Sequence, residues 1–191
     1  MGSNYMTDPI VFLIDTLFSL YILAVALRFL LQWTQADFYN PVSQFLVKIT
    51  HPPLRILRRF IPSIGRIDSS SLVLALLLQI VANFSILAIK GLSVSFVALT
   101  LLSFTDLLKM LIDIFVYAIF AGAILSWFAP GSYGSASSIL YSLTDPLLNV
   151  CRKVLPNMGG IDLSPLVALV LLQLAKMMIL PPLHQLVSLL G

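Results

Sequence analysis

The stretch T-H-P-P-L-R-I-L-R-R-F-I-P-S-I-G-R-I-D-S-S-S-L (residues 50–72) returns later as T-D-P-L-L-N-V-C-R-K-V-L-P-N-M-G-G-I-D-L-S-P-L (residues 144–166). Pro52 stands against Pro146, Arg58 against Arg152, Pro62 against Pro156, Gly65 against Gly159 and Asp68 against Asp162. The offset is constant (162 − 68 = 94) and holds without a gap from Trp33 and Trp127 to Gln79 and Gln173. Such a match is an internal duplication, so the fold is read as two copies of one unit.

The 191 residues are 59% hydrophobic and only 10% charged. A soluble domain carries roughly 25% charged residues. That deficit leaves too little polar surface to face water all round, and the class is integral membrane protein. The formal net charge of +3 is too small to suggest nucleic acid. The basic residues also lack a run of aromatics on which bases could stack. With Cys151 as the one cysteine, neither an intrachain disulfide nor a cysteine metal site can be built. The N-terminus has no basic n-region and no A-x-A pattern, so the first apolar run is expected to be a retained membrane helix.

Four apolar segments, residues 9–31, 72–89, 107–128 and 166–183, suit crossing a bilayer, which takes about 20 helical residues. Their runs are continuous rather than alternating, which excludes a membrane barrel. The expected fold class is an all-α membrane protein, two parallel two-span repeats forming a four-helix transmembrane bundle. The first repeat covers residues 6–90 and the second 107–191. Residues 91–106 have an apolar part too short to span, and are read as a connector or a re-entrant piece.

Within each repeat, short amphipathic pieces lie between the spans. Pro41 suits a first helical turn with Asn40 as its cap. Val42, Phe45, Leu46 and Ile49 then share one face. Pro52 and Pro53 are expected to break this helix and start a second, with Arg55, Arg58 and Arg59 on its polar side, that ends at Pro62. Two readings stand. Such helices lie in the headgroup layer, or they pack as a small soluble cap. Gly65 and Gly159 fit tight turns needing a positive φ. Ser70 and Ser164 are candidate N-caps, with Asp68 and Asp162 close to the helix starts. Each Asp either serves the cap or anchors a neighbouring Arg or a partner.

Lys48, Arg55, Arg58, Arg59 and Arg66 sit in the first basic loop, Arg152 and Lys153 in the second. The positive-inside rule puts both loops in the cytoplasm and both termini outside. Trp33 and Trp127 then fall at the cytoplasmic interface. The halves become repeats related by an axis along the membrane normal, as in some transporters. These cationic residues are the candidate contacts for anionic lipid headgroups and a partner protein.

Ionisable residues inside spans are costly and are functional candidates. Lys176, about 10 Å inside the last span at 1.5 Å per residue, is expected to pair across helices with Asp113 or Asp15. The pair is either a structural tie or part of a proton or cation relay. Gln79, Gln173 and Asn83 either bond helices together or line a polar site on the pseudo-twofold axis. There is no phosphate loop, zinc-protease helix or serine-hydrolase elbow. No cofactor, metal or enzymatic activity is expected.

The motifs W-x-x-x-D-F-Y-N-P-x-S-Q-F (Trp33 and Asp37 to Phe45), P-L-R-x-L-R-R-x-I-P-x-x-G-x-I-D (from Pro53) and D-P-L-L-x-x-x-R-K-x-L-P-x-M-G-G-I-D-x-S-P (from Asp145) resemble the YggT family of bacterial inner-membrane proteins. The resemblance covers both repeats. It implies a multi-pass inner-membrane protein without assigned enzymatic activity, with links to osmotic and cation stress. It also implies kinship with proteins tied to division-site or nucleoid organisation and to cofactor assembly of membrane complexes. The D-F-Y-N-P run is missing from the second copy, so any role special to it belongs to one half. Two function classes follow: a scaffold or assembly factor, with a homo-oligomer among its candidate partners, or a small ion or osmolyte conduit.

Overall fold

A computed structural model describes residues 4–65, 67–128, 134–154 and 162–191. Six helices follow in order: α1 (Asn4–Trp33), α2 (Pro41–Leu57), α3 (Ser69–Ile89), α4 (Phe96–Phe128), α5 (Ser135–Val154) and α6 (Ser164–Leu190). Among the described residues there is no strand, only an isolated bridge between Ile64 and Ile67 around the Gly65 turn. Thr7–Trp33, Ser69–Ile89, Phe96–Ser126 and Ser164–Leu190 are long and apolar enough to cross a membrane. The chain is thus a multi-pass membrane protein in which a long–short–long helical unit occurs twice.

The start of α2 follows the sequence rule. Asn40 Oδ1 accepts from Val42 N–H at 3.0 Å, and Pro41 opens the helix. The expected break at Pro52 and Pro53 does not occur, since α2 runs through both. A proline removes one rung of the helical ladder. Pro53 has no N–H for the Ile49 carbonyl, and the Tyr21 hydroxyl of α1 donates to that carbonyl instead, at 3.1 Å. From the same span, Arg28 Nη1 donates to the Val47 carbonyl at 3.2 Å and to Thr50 Oγ1 at 2.8 Å, a further tie between α1 and α2. The neighbouring span therefore supplies the donor that Pro53 takes away.

Continuity changes which face is buried. Ser43, Leu46, Thr50 and Leu54 point inward, while Val42 and Phe45, expected beside Leu46, are exposed. Ser43 and Thr50 are small enough to let α2 lie close against α1. In the second repeat Pro146 is likewise inside α5, whose buried stripe includes Ile139, Leu143, Leu148 and Cys151.

The connector is also shorter than expected. Residues 96–106 are the first three turns of α4, not a separate or re-entrant piece. α3 ends because Gly91 adopts φ +67°. Its N–H bonds Ala88 O and that of Leu92 bonds Leu87 O, the glycine-terminated helix stop. From Phe96 to Ala121 neither Pro nor Gly interrupts. Asp106 lies inside this helix, where its Oδ2 accepts from Asn83 Nδ2.

Each repeat is a helical hairpin: α1 packs on α3, and α4 on α6. One core joins Ile22, Val25, Leu54, Leu74 and Ala75 to Leu107 of α4. A second sets Ala26 and Leu30 against Ile114, Ala118 and Leu143. A third sets Ile119 against Leu148, Cys151 and Ala168. The hairpins meet along α3 and α4, whereas α1 and α6 do not touch. The repeats thus meet chiefly through the unlike pair α3 and α4, with a lesser contact between the like helices α1 and α4.

Candidate functional site

Where α1 leaves the apolar layer, Arg28 and Gln32 lie one turn apart on it. With Phe38, Val47, Arg58, Ile61, Pro62 and Ser63 they line an open cleft of about 600 Å³. Arg28 is 6% exposed. Its guanidinium donates to neutral acceptors, Thr50 Oγ1 and the Val47 carbonyl, and makes no ion pair among the described residues. Arg58 reaches the same cleft but is neutralised: its Nη2 meets Asp68 Oδ2 at 2.5 Å. The cleft thus holds one buried cation with no direct ion pair among the described residues, although the Arg58-bound Asp68 carboxylate still acts on it through space.

Asp68 is 1% exposed, and its Oδ2 also accepts from Ser71 Oγ at 2.8 Å. Burial alone would push its pKa up. The hydrogen bonds from Arg58 and Ser71, with the charge of Arg58, outweigh burial and hold it below the usual carboxylate range. Ser70, expected to cap α3, instead donates to the Ile61 carbonyl at 2.6 Å and so closes the loop back onto the helix. The mate pair in the second repeat is looser. Arg152 Nε and Nη2 meet Asp162 Oδ2 at 3.0 and 2.9 Å, but Asp162 is 46% exposed. Asp162 Oδ1 accepts from Ser164 N–H at 2.9 Å just ahead of α6, whose N-cap position is Leu163 rather than Ser164, because Ser164 is already the first helical residue. The Asp162 pKa is also lowered, with desolvation opposed by the Ser164 and Arg152 hydrogen bonds. The Asp-anchors-Arg reading therefore describes both repeats, and Arg58 and Arg152 are not free cations.

Lys48, Arg55, Arg59 and Lys153 are exposed, without ion pairs among the described residues. Phe38, Tyr39, Phe45, Phe60 and Ile64 are exposed around the first of these groups. Gly65 makes its turn at φ +60°, as its sequence setting implied. Arg66, Pro156 and Gly159 lie outside the described residues, as does the Trp127 side chain. Trp33 stacks edge-on against Phe115, 6.4 Å between centroids, and so ties the end of α1 to α4.

Inside the spans, Lys176 of α6 pairs with Asp113 of α4. Asp15, the other candidate partner, is exposed on α1 and has none among the described residues. Asn83 Nδ2 bonds Asp106 Oδ2 at 2.9 Å and Ser103 Oγ at 3.2 Å, joining the two repeats. Gln79 and Gln173 do not meet. Gln79 is buried and Gln173 exposed, because α3 has α4 beside it and α6 has no equivalent neighbour. The two amides therefore form no shared site within one copy of the chain.

Gln32 and Asp106 escaped sequence reading, and Arg28, an ionisable residue near the end of the first span that would be expected to snorkel to the interface, is buried against α2 instead. Arg28 and Gln32 share an α1 face by their spacing of four, a signal that gains meaning only once Val47 and Thr50 are known to lie opposite.

Geometry and composition together define a duplicated, all-helical, multi-pass membrane protein with a cationic cleft on its first repeat. The chain belongs to the CCB3/YggT family, whose model matches residues 7–89 and again 101–183. It is 43% identical over 172 residues to an uncharacterized protein of Pseudomonas aeruginosa, covering 89% of this chain and 87% of that one. It is 38% identical over 179 residues to the uncharacterized protein YggT of Escherichia coli K12, covering 89% and 88%. An uncharacterized protein of Vibrio alginolyticus is 41% identical over 168 residues, covering 86% and 90%. No solved structure matches the chain.

Proposed function

We propose that this protein is a non-enzymatic scaffold of the bacterial inner membrane, holding anionic lipid and an acidic partner segment against its cytoplasmic face. The observation that supports the reading best is Arg28, a buried guanidinium without a carboxylate partner, at the wall of an open cleft. A phosphate diester is the ligand such a group suits, because the guanidinium fork matches its oxygens and desolvation strengthens the attraction. Lys48, Arg55, Arg59 and Lys153 extend the positive surface. The exposed aromatics beside the first three suit the headgroup layer, where amphipathic α2 and α5 would lie along the membrane. By the positive-inside rule this face is cytoplasmic and the termini periplasmic.

The test is native mass spectrometry of the protein in nanodiscs of mixed anionic and zwitterionic phospholipid. The parent is expected to retain anionic lipid in excess of its share of the bilayer. Arg28→Gln is expected to lose one tightly held lipid, and Arg55→Glu with Arg59→Glu to lose the looser remainder and partner recovery in a pull-down. Retained lipid with the bilayer's own composition in the parent refutes the reading.

A conduit for ions or osmolytes is the second reading, favoured by the Lys176–Asp113 pair within the spans. It predicts flux in reconstituted liposomes that changes with Lys176→Met. Flux equal to that of empty liposomes removes it.

A further inference from the structure

α3 and α6 are the same element in the two repeats, and so are α1 and α4. Within the chain α3 packs against α4, but the corresponding contact of α6 with α1 is absent. One unlike-face joint is complete, and each outer helix keeps half of another. The joint is marked by Asn83 of α3 reaching Asp106 of α4. At the corresponding places α6 has Met177, 64% exposed, and α1 has Phe12, 69% exposed. Leu107 and Ile114 of α4 are buried, while their α1 counterparts, Leu13 and Leu20, are exposed.

Exposed apolar groups alone say little in a membrane, where lipid covers them. Gln173 says more. It faces outward from a span with no hydrogen bond among the described residues, whereas its mate Gln79 is buried. A polar amide turned to hydrocarbon is unfavourable unless something covers it.

We infer that a second copy of this chain seats its α1 against α6 of the first and repeats between chains the α3–α4 joint made within one. Met177 of one copy then faces Phe12 of the next, and Gln173 is buried as Gln79 is. An unlike-face contact uses one end of each copy. It therefore propagates until the turn per copy closes it into a ring, or continues as a row. The partner is another copy rather than a foreign helix, because the chain already presents both complementary halves of a surface it uses internally.

The test uses the full chain in native membranes, with Cys151→Ser as background. One tagged copy carries Phe12→Cys, and a differently tagged copy carries Met177→Cys. Oxidation or a short bis-maleimide is expected to give a product of twice the monomer mass only when both are co-expressed. The doubly substituted chain is expected to give a ladder. The inference is overturned by like-with-like products from either variant alone, by adducts only with a protein of different mass, or by monomer throughout. Because thiols at a joint can weaken it, the Cys151→Ser chain is also measured in native-lipid particles by native mass spectrometry. Only monomer there overturns the inference as well.

Discussion

Two arginines in matching positions of the duplicated unit should differ several-fold in what they contribute. Asp68 is 1% exposed, and its Arg58 partner 39%. Arg58→Ala leaves a buried carboxylate with one serine for company, and Asp68 Oδ1 already has no hydrogen-bond partner. Breaking a buried pair costs about 3–5 kcal/mol. Because Arg58 is partly hydrated, the lower end, about 3 kcal/mol, is the expected loss. Asp162 is 46% exposed and Arg152 43%, so Arg152→Ala removes a surface pair, worth about 0–1 kcal/mol. The assay is equilibrium unfolding of each variant in the same lipid nanodiscs. Acid supplies a second arm. A lowered carboxyl pKa stabilises the fold fully above its unfolded value of about 3.9, and that stability disappears as pH falls through the folded value. The parent should therefore lose stability below about pH 4, and Asp68→Asn should flatten most of that slope. Equal losses from Arg58→Ala and Arg152→Ala would refute the reasoning, as would a larger loss from Arg152→Ala.

Two further outcomes follow from the contacts within the spans. Lys176→Met and Asp113→Leu should each destabilise by about 3–5 kcal/mol, while the double variant returns close to the parent, since an ion pair and an apolar pair of similar volume can be near-equal; additive losses in denaturant titrations would contradict the pairing. Tyr21→Phe should cost about 1–3 kcal/mol by stripping the Ile49 carbonyl of its donor, and a melting temperature equal to the parent's would show that Pro53 needs no such support.

The duplication, the four spans, the Asn40–Pro41 helix start and the Lys176 pairing with Asp113 were readable because each depends on local pattern or on charge that must find a partner. The passage of α2 through Pro52 and Pro53 was not, because the donor that replaces the N–H of Pro53 comes from Tyr21, far earlier in the chain. The first turns of α4 were hidden because the apolar part of residues 91–106 is too short to span by itself, and its continuity with the next span shows only in the folded helix. The arginine-lined cleft required knowing which side of α1 faces Val47 and Thr50. The unequal fates of Gln79 and Gln173 were least legible of all. A repeat copies residues faithfully, but the end copy has no neighbour to meet.

The whole account depends on both cationic helical elbows, α2 with its Arg55 and α5 with its Lys153, emerging on one side of the membrane. Single cysteines at positions 55 and 153, in the Cys151→Ser background, can be challenged with a membrane-impermeant maleimide in intact spheroplasts and again after lysis. The account predicts that both stay unlabelled until the membrane is opened. Labelling of one but not the other in intact spheroplasts would contradict it.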